Sequence, residues 1–159
     1  MFLSIKKIPV VGWSSKETFN FKPKISTFSY LCLGLMLFGF GEALLVVSTT
    51  GNSPWTVLAE GASIITDLSI GVATFFISVA VLSLWFFLKQ KPGLGTIMNI
   101  IVISVMLDVT ISSLVSPSSL ISQYFLAIFG VFLVGLGSGF YLTANLGPGP
   151  RDGLMTGLT

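Results

Sequence analysis

From Leu68 to Leu88 the chain runs for 21 residues without a charged side chain, and from Leu120 to Leu146 for 27. A helix that crosses a hydrocarbon core of about 30 Å needs roughly 20 predominantly apolar residues. Two more stretches meet that length: about Ser26 to Thr49, interrupted by Glu42, and about Leu94 to Val115, with Asp108 near its end. Lipid offers no partner for a backbone N–H or C=O, so charge-free runs of this length are read as helices. The pattern predicts an all-α, polytopic transmembrane helical bundle of four spans. Between the first two spans, Pro54–Thr66 has helical composition, but its 13 residues reach only about 20 Å. It is read as a short helix, broken or re-entrant. Only 9% of the residues are charged, against about 25% in soluble domains, and a chain so poor in charge has no water-soluble alternative.

The charges that remain orient the bundle. The eight Lys and Arg lie in three places: five in the N-terminal arm, two at Lys89 and Lys91, and one at Arg151. A cytoplasmic N-terminus with four spans puts every one of them inside and leaves the opposite connections, 50–67 and 116–119, without any, as the positive-inside rule demands. The expected arrangement is therefore multi-pass, with the N-terminus cytoplasmic. Residues 1–25 form a basic and aromatic arm in which Phe2, Ile5, Ile8, Trp13, Phe19 and Phe21 alternate with lysines. Such a segment suits an anionic inner leaflet; a flexible tail is the other reading. The bilayer is the evident partner, and nothing points to nucleic acid.

Absent residues remove whole chemistries. There is no histidine and one cysteine, Cys32, so a zinc cluster, haem ligation, a His general base and an internal disulfide are all excluded. No cofactor is expected. An enzyme would have to work with carboxylates alone, and none is expected.

Displacing the sequence by 96 residues lays 34–61 on 130–157, and all five glycines of the first segment meet glycines of the second: Gly34 with Gly130, Gly39 with Gly135, Gly41 with Gly137, Gly51 with Gly147 and Gly61 with Gly157. Pro54 meets Pro150. Three spans separate the starts of the two units, so they enter the membrane from opposite sides. An inverted repeat with a Gly/Pro break at the corresponding place in each half points to a transporter-like architecture with a site near the midplane. The chain accordingly divides into the arm, a first repeat unit over 26–115 (three spans and the short helix 54–66) and an incomplete second unit over 116–159. By the same displacement a full second unit ends at about residue 210, and the expectation is a truncated chain; a four-helix protein with a degenerate second half is the alternative.

The breaks supply the candidate residues. Gly51 and Pro54 mark the first, Gly147 and Pro150 the second, with Ser53 as an N-cap and Asp152 in the first turn after Pro150. Each break presents a helix N-terminus, which either receives an anionic group of a solute or is an ordinary capped turn. Arg151 beside such an end suits a phosphate or carboxylate, or anchors the chain at the inner surface. Glu42, Ser53, Asn145, Arg151 and Asp152 are the candidate solute or ion site; a small anionic or polar solute and a second copy of the chain are the candidate partners beyond lipid. Glu42 inside a span either faces a cavity or is solvated near the headgroups, and Asp108, nearer a helix end, favours solvation. Gly39 with Ala43, and Gly135 with Gly139, form small-xxx-small stripes for close helix packing.

The segments GLGSGFYLTANLGPGPRDGLMTGL (135–158), KPGLGTIMNIIVISVMLD (91–108) and GNSPW (51–55) resemble the YczE/YyaS/YitT group of bacterial membrane proteins over most of the chain, from about Phe28 onward. The resemblance implies a multi-pass inner-membrane protein of somewhat over 200 residues, with transport or a membrane-associated accessory role as its expected function. The sequence departs from the group's Gly-Pro-Trp-Asp pattern, since Thr56 follows Trp55. The leading expectation is a small-solute transporter or exporter-like scaffold; the alternative is a non-transporting accessory or regulatory protein that binds a partner through its helices.

Overall fold

In the computed structural model, residues 11–88 and 90–157 are described, and all regular structure among them is helical. The order is α1 (Ile25–Ser48), α2 (Pro54–Thr66), α3 (Ile70–Leu84), α4 (Leu94–Ser113), α5 (Leu120–Thr143) and α6 (Pro150–Gly157). Phe2, Ile5, Lys6, Lys7, Ile8 and Lys89 lie outside the described residues.

Three helices, α1, α4 and α5, are long and apolar enough to cross a membrane, and α2 with α3 makes a fourth crossing if the pair counts as one bent span. This corrects the expected second span. The α-helix of that stretch covers only Ile70–Leu84, 15 residues, or about 22 Å. Beyond it, Trp85, Phe86 and Phe87 donate to carbonyls three residues back, so the chain continues to Leu88 in tighter turns. At the other end Asp67 takes a left-handed conformation, and α2 meets α3 at 111°.

α1 is the hub: 67% of its most apolar window is buried, against 22% for α5. It packs chiefly against α5 and α4, while α3 lies against α4. The α1–α5 contact is backbone on backbone. A Cβ added to Gly137 would lie 2.5 Å from the Gly34 carbonyl, and one on Gly41 would lie 2.7 Å from the Gly130 carbonyl. Only glycine lets the two axes come so close. Gly39 serves the other side of α1, where a Cβ would meet Met106 and Ile103 of α4, and Ala43 is fully buried in the same core.

Among the described residues the second predicted stripe packs against nothing. Gly135 and Gly139 are exposed, with nothing within 4 Å of an added Cβ. The buried line on α5 runs through Gly130, Leu133, Gly137 and Tyr141, spaced at helical period, and positions 135 and 139 fall off it.

Where it is described, the arm is ordered: residues 11–24 fold over the ends of α1 and α5. The Ser14 hydroxyl donates to the Thr143 carbonyl at 2.5 Å, Ser15 N–H to the Ala144 carbonyl at 3.0 Å, and the Thr27 hydroxyl to the Trp13 carbonyl at 2.6 Å. Trp13 packs on Tyr30 in a tilted pair with ring centroids 4.5 Å apart.

Candidate functional site

The first break turns the chain back beside α1. Thr49 ends α1 in a left-handed conformation and Gly51 follows at φ +141°, which only glycine adopts without strain. Ser53 caps α2 by accepting from Thr56 N–H, and Pro54 takes the first helical position, where no N–H is needed. The cap also serves α1. The Ser53 and Thr56 hydroxyls donate to the Glu42 carboxylate at 3.2 and 2.6 Å. Glu42 is only 4% exposed, so it is solvated by protein rather than by headgroups.

The second break repeats the geometry. Asn145 is left-handed and Gly147 has φ +110°; Pro150 then opens α6. Its extended segment lies along the start of α4: Gly95 N–H donates to the Leu146 carbonyl at 2.6 Å and the Thr96 hydroxyl to the Pro148 carbonyl at 2.8 Å. Trp85 clamps α6 by donating its indole N–H to the Pro150 carbonyl at 3.3 Å, while its ring covers Gly153 so closely that a side chain there would overlap it.

The two breaks meet. Arg151 reaches Glu42 with Nη1 to Oε1 at 4.0 Å and Asp152 with Nε to Oδ1 at 3.6 Å, and its guanidinium carbon stands 5.4 Å from the Phe38 ring centroid. Tyr141 donates its hydroxyl to Asp152. Asp152 stands three residues after Gly149 and bonds the Gly149 backbone, one half of a capping box. Burial raises its carboxyl above the ordinary value, and the Gly149 bond opposes that rise. These groups enclose a cavity of about 30 Å³ lined from both breaks and from α1, α3, α4 and α5, room for about one water. Two carboxyl groups share one guanidinium there.

Four predicted residues, Glu42, Ser53, Arg151 and Asp152, are thus drawn together by hydrogen bonds and ion pairs. Asn145 is not. Its amide accepts from the Thr18 hydroxyl at 3.1 Å and donates to the Ser15 carbonyl at 2.9 Å, so it holds the arm and lines no part of the Glu42 cavity. Asp108 is likewise engaged elsewhere, accepting from the Ser69 hydroxyl at 2.6 Å and Gly71 N–H at 2.8 Å and placing a negative charge at the N-terminus of α3. Sequence reasoning missed Thr56, Phe38, Tyr141, Ser78 and Asn99. Ser78 and Asn99 carried a signal, being polar side chains inside apolar spans; Phe38 and Tyr141 carried none.

Residues 25–159 match a family model described as a family of unknown function, DUF6198. An uncharacterized protein of Haemophilus influenzae is 42% identical over 154 residues, covering 97% of this chain and 70% of that protein. The uncharacterized membrane protein YczE of Bacillus subtilis is 32% identical over 130 residues, 79% of this chain and 60% of its own length. A second B. subtilis protein, the uncharacterized YyaS, is 27% identical over 131 residues, 80% of this chain and 65% of its own. The chain therefore spans 60 to 70% of the length of these three relatives. No solved structure matches it.

Proposed function

Because this chain belongs to the DUF6198 family, whose relatives include an uncharacterized membrane protein, we propose a function built on the polar cavity between its breaks: a small-solute transporter or exporter-like scaffold with its site where the two breaks converge. The observation that carries this reading is the reach of Arg151, on the second break, to Glu42, which Ser53 and Thr56 of the first break hold.

Two further facts support an inverted repeat behind it. At the 96-residue displacement Thr49 corresponds to Asn145 and Gly51 to Gly147, and both pairs share a positive φ. The glycine contacts are reciprocal as well: Gly34 meets Gly137 and Gly41 meets Gly130, while Gly34 corresponds to Gly130 and Gly41 to Gly137. An exchange of that kind is what a two-fold axis produces. Half-helix ends that face each other across such an axis are the usual setting of a transported solute. Two carboxyl groups to one guanidinium favour a polar or positively charged solute over the anionic one.

The N-terminus is taken as cytoplasmic in a bacterial inner membrane. Lys16, Lys22 and Lys24 precede α1, Lys91 precedes α4, and Arg151 follows α5; in a bundle of four crossings these are the same side. The test is flux. Liposomes carrying the purified protein are expected to accumulate or release solute in a manner lost in Glu42→Gln and Arg151→Ala. Unchanged flux in both variants removes these residues from the mechanism, and stable co-purification with another protein without any flux favours the accessory role.

A further inference from the structure

Arg151 occupies a setting built for a cation without being bound tightly in it. Charge-assisted N–H···O bonds measure about 2.7–2.9 Å, yet its ion pairs to Glu42 and Asp152 are 4.0 and 3.6 Å long, and its side chain is 35% exposed. The Phe38 ring stands beneath it and Trp55 and Tyr141 line the same cavity, and aromatic faces beside carboxylates are the surroundings that hold organic cations. Arg151, Asp152 and Trp55 line the enclosed cavity on one side and an open groove of about 460 Å³ on the other. Arg151 therefore borders both spaces.

The far side of the cavity holds unused polar groups. Ser78 is only 4% exposed, and its hydroxyl, like the Asn99 amide, lines the cavity with no hydrogen-bond partner among the described residues. A hydroxyl and an amide that face the cavity with no intramolecular partner are open to a guest that brings its own donors.

We propose that this cavity binds a small organic cation of guanidinium type, and that Arg151 is its built-in occupant, displaced into the groove when the free cation takes its place between Glu42 and Asp152. The inference rests on the reading of this cavity as the solute site. The space required is the space that the Arg151 guanidinium leaves. N–H groups of the guest then have Glu42 and Asp152 as acceptors on one side and the Ser78 and Asn99 oxygens on the other.

The experiment uses the purified chain in lipid nanodiscs and guanidinium chloride at low millimolar concentration, with sodium chloride at equal ionic strength as the control. Removing the tethered competitor strengthens binding: Arg151→Ala is expected to be stabilised against heat by guanidinium with a half-saturation at least ten-fold below that of the unaltered chain. The effect is expected to vanish in the double variant Glu42→Gln/Arg151→Ala. Arg151→Met, which keeps the stem and its packing on Phe38, serves the same comparison should the alanine variant unfold. Equal half-saturation with and without the arginine, persistence of the shift in Glu42→Gln, or stabilisation by acetate or phosphate that requires Arg151, each overturns the proposal. Binding as expected without flux in liposomes removes the transport reading and leaves the site; flux of another solute with no guanidinium response does the reverse.

Discussion

Glu42 is a charge buried in an apolar helix, and its stability there depends on the donors around it. The shortest of them, the Thr56 hydroxyl at 2.6 Å, comes from a residue 3% exposed. Thr56→Val keeps the shape and deletes the donor. A hydrogen bond to a charged group is worth about 1.5–3 kcal/mol, and a loss of that size is expected in thermal or denaturant unfolding in detergent. No loss would mean that water replaces the hydroxyl. Asp152 gives a pH test. Its carboxyl is raised by burial from the ordinary 3.8, so the folded chain holds that proton more tightly than the unfolded one. Stability is then greatest below 3.8 and falls as pH rises through the raised value. Asp152→Asn is expected to flatten that slope in melting curves taken across the acid range; an unchanged slope assigns it to another group. Ser53 and Pro54 were legible as a cap because capping is a matter of neighbours in sequence. Asn145 was not, since its amide is used by Ser15 and Thr18 at the opposite end of the chain.

At the scale of helices, the glycines of α5 divide by face. Gly137 has the Gly34 carbonyl and the Phe38 N–H within 2.6 Å of an added Cβ, and backbone does not yield, so Gly137→Ala is expected to part α1 from α5 and abolish a cooperative melt. Gly135→Ala and Gly139→Ala meet nothing within 4 Å and are expected to be neutral or to stabilise by up to about 1 kcal/mol through helix propensity. A loss at all three would place a packed partner on the outer face. Gly153 tests the clamp on α6: its alanine variant overlaps the Trp85 ring and is expected to speed trypsin cleavage after Arg151. The helix boundaries were largely readable, because an apolar run and a break are local features. The shortening of the second span to Ile70–Leu84 was not, since its far end is shaped by Trp85 folding onto α6.

For the whole molecule, the charge asymmetry predicts which loops face outward. In a Cys32→Ser background, Ser118→Cys is expected to react with a membrane-impermeant maleimide on intact cells and Lys91→Cys only after lysis; the opposite pattern inverts the topology. By itself the sequence determined that this is a helical membrane protein, and largely where its helices begin and break. Those outcomes follow from transfer free energies and backbone hydrogen bonding, which add up residue by residue along the chain. Only the tertiary structure decided which face of each helix turns inward, and with it the choice of Gly130 and Gly137 over Gly135 and Gly139 and the meeting of Arg151 with Glu42. A span that is apolar on every side reads the same to lipid at any rotation, so close packing of side chains and backbone, not hydrophobicity, selects the face.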